Sequence, residues 1–208
     1  MNLDDLLANP TYRIAAQQTV AAPRQVVWRE LVALPMSALP LGFALTLLRH
    51  APDVITGSER RVRGTDTFLD ATPIPVLIDD APRQIVSAGL SQAWKIVGAD
   101  AAPRLGLEAL HDWSAPGWIN VVMSFDLDEL SPGSTELRTE TRISATDPRT
   151  ARRFAPYWWV IRASSSLIRR EVVAQVKRRA ESAASNRAGG SRSRRRAIVG
   201  RLFYAREP

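Results

Sequence analysis

Cysteine is absent from the 208 residues, and histidine occurs only twice, as His50 and His111. The first absence excludes disulfides, thiolate zinc sites and cysteine nucleophiles. The second leaves little for imidazole metal chemistry, and no metal site is expected. Long apolar runs are scarce too. The longest uncharged stretch, Leu31–Leu48, lies between Glu30 and Arg49, and Pro35 and Pro40 would each break its backbone ladder in lipid. It reads as a buried helix after a Pro-containing turn. The opening Met1-Asn2-Leu3-Asp4-Asp5 is acidic and lacks the positive segment of a secretory signal, so a soluble, cytoplasmic protein is expected. Neither a G-x-G-x-x-G nor a Walker loop occurs, and nucleotide binding has no support.

What is present suits one domain with an extension: 45% apolar and 24% charged residues. A chain of this length buries roughly 70% of its unfolded surface without needing staples. The formal charge is +7, and its placement says more than its size. Residues 183–208 hold seven arginines, Arg187, Arg192, Arg194, Arg195, Arg196, Arg201 and Arg206, against one acid, Glu207. The body before them is close to neutral and is not an obvious polyanion binder. The tail is Ala/Ser/Gly/Arg-rich, a composition that cannot bury a core and is expected to be disordered. Three parts follow: an N-terminal extension over 1–11, a domain over 12–182 and a basic tail over 183–208.

Within the domain the hydrophobic period changes along the chain. Tyr12–Val20 alternates loosely and reads as a strand. Arg24–Leu34 places Val26, Val27, Trp28 and Leu31 on adjoining turns, a short helix entered at Pro23 and closed by Pro35. Ser37 is expected to cap a second helix through Leu39–Leu48. Val54–Arg63 and Thr65–Ala71 read as a hairpin turned at Gly64. Gln84–Ser91 is a further strand, Asp79-Asp80 lies in a Pro-flanked loop, and Arg104–His111 reads as a weak strand.

Trp118–Leu130 puts Ile119, Val121, Met123, Phe125 and Leu127 on one face by period two. Thr135–Ala145 does the same with Leu137, Thr139, Thr141 and Ile143. Its other face, Glu136, Arg138, Glu140 and Arg142, is expected to be solvated. From Asp147-Pro148, an N-cap followed by Pro, apolar residues recur every three or four positions. Phe154, Trp158, Ile161, Ile168, Val172 and Val176 make one amphipathic helix over Pro148–Glu181, which Pro156 and Ser164-Ser165-Ser166 would kink or divide.

The order of strand, two short helices, antiparallel strands and long C-terminal helix is an α+β layout. A curved antiparallel sheet gripping that helix encloses a space, and the pattern fits either a filled core or a cavity.

The opening YRIAAQQTVAAPRQVVWREL resembles the first strand and helix of START-like proteins, the helix-grip, SRPBCC or polyketide-cyclase-type domains. The closing TELRTETRISATDPRTARRFAPYWWVIRASSSLIRREVVAQVKRRAE is similar to the last strand and helix of a bacterial SRPBCC branch. The resemblance covers about residues 12–181. It departs at Pro156 and at Ala163-Ser164-Ser165-Ser166, where a Pro-Gly-Ser-Gly-like break belongs, so the place of the helix break does not carry over. It implies a hydrophobic cavity between sheet and helix that takes lipids, sterols or polyketides, with cyclisation or dehydration in some members. It carries no shared catalytic motif.

Other chemistry is thinly supported. Gly89-Leu90-Ser91-Gln92-Ala93 approaches a nucleophile elbow but is not followed by a helix. The carboxylate pairs Asp79-Asp80 and Asp126/Asp128 lack the further oxygen ligands calcium needs. His111, beside Asp112 and Trp113, is the one candidate general base, set against an ordinary loop histidine. Of the six tryptophans, Trp94, Trp113 and Trp118 cluster along the middle strands and are candidates to line a pocket.

The expected function is binding of a hydrophobic small molecule, without a cofactor. The expected lining is Phe43 and Leu47 from the second helix, Trp94, Trp118, Val121, Met123, Leu137 and Thr139 from the strands, and Phe154, Trp158 and Ile161 from the long helix. A cyclase- or dehydratase-like enzyme in the same cavity is the first alternative. The second is a pocketless interaction protein whose Arg-rich tail contacts an anionic membrane or nucleic acid.

Overall fold

The computed structural model describes residues 3–45, 62–95 and 98–203, with the side chains of the last helix through Arg187. Its elements are α1 (Leu3–Leu7), β1 (Tyr12–Val20), α2 (Arg24–Val32), a 3-10 turn (Met36–Ala38), α3 (Phe68–Ala71), β2 (Val76–Asp80), β3 (Gln84–Ser91), α4 (Leu107–His111), β4 (Ile119–Ser131), β5 (Ser134–Ala145) and α5 (Pro148–Phe203).

Five strands form one antiparallel sheet in the order β1-β5-β4-β3-β2. Each strand faces alternate residues to either side, and the register aligns like with like. Leu137 stands opposite Leu127, and Phe125 opposite both Ile85 and Thr139. These inward side chains meet α2 and α5 in the main core, with Val27, Leu31, Leu34, Leu39, Val172 and Val176 contributed by the helical side. Every one of them is 2% exposed or less. A curved antiparallel sheet crossed by one long helix is the helix-grip layout expected of the sequence.

Polar contacts hold α5 at its start and along its middle. The Asp147 carboxylate accepts from the Thr150 backbone N–H at 2.9 Å, as an N-cap does, and from the Gly117 N–H at 2.8 Å. Glu171 accepts from the N–H groups of Leu41 (3.1 Å) and Gly42 (2.9 Å), tying the helical turn at 40–45 to the long helix. Glu181 accepts from the Ala21 N–H and Arg179 pairs with Glu30, both at 2.9 Å.

Several short elements differ from expectation. Thr65–Ala71 is not a strand: Phe68–Ala71 is a helical turn whose start is capped by Thr67, with the Asp70 N–H donating to its hydroxyl at 3.1 Å. A Thr-x-x-Asp spacing favours this capping over extension. Arg104–His111 ends in helix α4, because Leu107 and Leu110 share a helical face and Leu110 is buried. Asp79-Asp80 closes strand β2, an edge strand hidden in the sequence by the prolines on both sides. Ser37 lies inside the 3-10 turn and donates its N–H to Gly64, rather than capping a helix. Neither Pro156 nor the serine triplet divides α5. Most of the expected hairpin at 54–63, with positions 46–48, lies outside the described residues.

The outer face of the sheet is also covered. Leu3, Leu6 and Leu7 of α1 and Leu110 of α4 pack on Val86, Ala88, Leu90 and Val122. Arg142 is buried here rather than solvated, paired with Asp4 at 2.5 Å and Glu140 at 2.6 Å and donating to the Leu7 carbonyl. Burying a guanidinium is tolerable only with that much pairing.

Candidate functional site

Between the sheet and the N-terminal half of α5 lies a cavity of ≈ 240 Å³. Strands β4 and β5 supply Ile119, Val121, Met123, Thr141 and Ile143, and α5 supplies Phe154, Tyr157, Ile161 and Arg169. The remaining wall comes from Ser91, Ala93 and the segment Thr72-Pro73-Ile74. A smaller cavity of ≈ 130 Å³ lies further along the helix, among Phe68, Phe125, Ser165, Ile168 and Val172. Arg169 lines both.

Period-two alternation explains the strand side of this wall, since Ile119, Val121 and Met123 occupy alternate positions of β4. Helical spacing explains the other: Phe154, Tyr157 and Ile161 are three and four residues apart. Around Phe154 an aromatic cluster closes one end. Its ring centroid is 5.6 Å from Tyr12, 5.9 Å from Trp94, 5.8 Å from Tyr157 and 6.1 Å from Trp158. Such edge-to-face and tilted pairs contribute about 1 kcal/mol each beyond their buried area.

Arg169 is the polar centre of the site. Its Nη1 donates to the Thr139 hydroxyl at 3.0 Å and its Nη2 to the Thr141 hydroxyl, while its Nε is buried without a hydrogen-bond partner among the described residues. The residue as a whole is half-buried, and its Nε is shielded from solvent. Burial pushes its pKa down to about 10, against the pull of Glu140 on the far side of β5. It therefore stays charged at neutral pH.

Of the residues expected at the site, Val121, Met123, Phe154 and Ile161 come together at the cavity wall. Trp94 and Trp158 stand behind that wall, against Phe154. Thr139 lies beneath Arg169. Leu137 belongs to the solid core at 0% exposure, and Phe43 packs against the same core. Leu47 lies outside the described residues. Trp118 is turned the other way and packs with Trp113 and Leu105 on the outer face. It shares parity with Val122, not with Val121, so alternation already assigned it there.

His111 ends α4 on that same outer face, exposed, beside a surface depression shared with Leu6, Glu108 and Asp112. The sheet separates it from the cavity, so it is no base for chemistry there. Among the described residues, the titratable side chains at the cavity wall are Tyr157 and Arg169. Sequence reasoning missed both, although Arg169 follows Ser165 by four and precedes Val172 by three, a place on the apolar stripe that an arginine seldom takes.

The molecule has an α+β, helix-grip fold.

No family model matches the sequence, and no curated protein matches it at a significant level. Solved structures of similar arrangement include a conserved protein of Geobacillus kaustophilus, 10% identical, covering 81% of this chain and 95% of that one with a TM-score of 0.40. A START superfamily protein from Mycobacterium smegmatis is 10% identical over 84% of this chain and 97% of its own, with a TM-score of 0.34. A truncated norcoclaurine synthase from Thalictrum flavum is 13% identical over 77% and 92%, also with a TM-score of 0.34. Among the described residues, no helix of this helix-grip domain is long and apolar enough to cross a membrane.

Proposed function

We propose that this helix-grip domain binds a hydrophobic small molecule, of lipid or polyketide kind, in the cavity between sheet and long helix. The observation that supports it is the ≈ 240 Å³ space walled by Val121, Met123, Ile143, Phe154 and Ile161. An apolar wall with a few placed polar groups is the usual build of a ligand pocket. Burial of apolar ligand surface stabilises a complex by about 2.5 kcal/mol per 100 Å² removed from water, without any charged partner. Binding rather than catalysis fits the wall best, because among the described residues it is mainly apolar, its titratable groups are a tyrosine and an arginine, and His111 lies across the sheet.

The test is uptake of the neutral dye N-phenyl-1-naphthylamine, followed by its fluorescence, in the wild type and in Val121→Phe. The larger ring fills the cavity from the β4 side, so the variant folds and loses at least about tenfold in dye affinity, which is about 1.4 kcal/mol. Equal uptake by both proteins, or none by the wild type, would refute the proposal. Mass spectrometry of whatever the purified wild type releases into organic solvent identifies the class of the native molecule.

A further inference from the structure

An arginine in the wall of an apolar cavity is an expensive feature. A buried ion must be paired and hydrogen-bonded to be tolerated. Arg142 on the outer face meets that demand with two carboxylates. Arg169 does not: among the described residues its partners are two neutral hydroxyls, those of Thr139 and Thr141. Glu140, the acid whose charge reaches it, points to the opposite face of β5 and is already paired with Arg13 at 2.7 Å and Arg142 at 2.6 Å.

The two threonine hydroxyls do more than solvate the cation. By accepting one N–H from each Nη they fix the plane of the guanidinium against the sheet. Among the described residues, the buried Nε–H and the remaining N–H of each Nη have no hydrogen-bond partner. That is the donor set a carboxylate takes in two parallel hydrogen bonds. The cation also lines both cavities, so an apolar chain can extend from it toward either.

We infer that the ligand of this cavity is an apolar molecule ending in a carboxylate, which pairs with the Arg169 guanidinium. The inference rests on the binding function proposed above and narrows its ligand class from apolar molecules to apolar acids. Thr139 and Thr141 are positioning residues for the cation. The hydrocarbon lies against Met123, Ile143 and Ile161.

The experiment uses the full chain with N-phenyl-1-naphthylamine bound and measures its displacement by octanoate and by octanol. These differ in the acid group and share the chain. The wild type is expected to bind octanoate at least about tenfold more tightly than octanol, the size of effect a charge-assisted pair gives. Arg169→Met loses the preference, read within the variant as the ratio of its octanoate and octanol displacement constants. Arg169→Lys, a charge without the planar fork, retains a reduced preference and covers the case in which the methionine variant fails to fold. Equal displacement by octanoate and octanol from the wild type overturns the inference and leaves hydrophobic binding standing. An octanoate preference that persists in a folded Arg169→Met overturns it too, by placing the acid elsewhere. A wild type that takes up no dye at all overturns both.

Discussion

Asp147 fixes where the long helix begins. Its carboxylate accepts the Thr150 backbone N–H and the Thr150 hydroxyl from the first turn, and the Gly117 N–H from the turn before β4. The Thr150 hydroxyl and these backbone donors hold its pKa at about 2, well below the ordinary 3.8. A carboxyl depressed on folding stabilises the native state above its unfolded pKa, and that stabilisation disappears as pH falls through the folded value. Asp147→Asn keeps the cap's shape and removes its charge. The wild type is therefore expected to be the more stable at about pH 6, and the gap between the two urea midpoints to close between about pH 4 and pH 2. A gap that stays constant over that range would mean the charge contributes nothing and only the cap's shape matters. This residue was legible as a cap in the sequence because Asp-Pro is a strong start signal. Arg169 was not, because its role is set by what lies across from it on β5, which only the register of the folded sheet supplies.

At the level of elements, α5 carries a contradiction within itself. Pro156 sits in its ninth position, where it has no N–H to give to the carbonyl four residues back and its ring crowds that carbonyl. Ser164 and Ser166 further on donate their hydroxyls to the carbonyls of Ile161 and Arg162, a back-bonding that also bends helices. Yet the helix is continuous, because Phe154 before the proline and Val172, Val173 and Val176 well after it are 2% exposed or less and anchor both halves to the sheet. Packing outweighs the local preference. Pro156 itself is exposed, so Pro156→Ala removes the penalty without opening a cavity. The expected result is a gain of about 1–3 kcal/mol in urea unfolding with the dye affinity unchanged. A loss of stability would show that a bend at Pro156 is needed to seat Phe154 and Tyr157 on the sheet. The same balance decides which elements the sequence reveals. β1, β4, β5 and α5 repeat their period over nine residues or more and were legible. The segments Phe68–Ala71, Val76–Asp80 and Leu107–His111 are four or five residues long, too short to complete a pattern against the prolines, glycines and threonines beside them. Whether the inward face was core or cavity was not legible at all, since Leu137 in the core and Met123 at the cavity have the same alternation.

Taken whole, the chain divides by charge. The near-neutral body contains both cavities, and the positive excess lies in the seven arginines after residue 182. The body does not end cleanly at that point. Ala183 and Ala184 still pack against the main core, so a chain cut at Ser182 would lose core contacts together with charge and would confuse the two effects. A chain ending at Arg187 keeps those contacts and removes six of the seven arginines. Its cavities are expected to be intact, because among the described residues their lining extends no further along α5 than Val172. The shortened chain is therefore expected to unfold at the same urea concentration as the full chain and to bind N-phenyl-1-naphthylamine within about twofold of it, a difference of less than about 0.5 kcal/mol. Any attraction of the full chain to anionic vesicles should vanish with the cut and should weaken steeply with salt in the intact protein, as contacts made by clustered arginines do. A dye affinity that changes with the cut would instead mean that residues after 187 reach the cavity, and the basic segment would then belong to the binding site rather than stand apart from it.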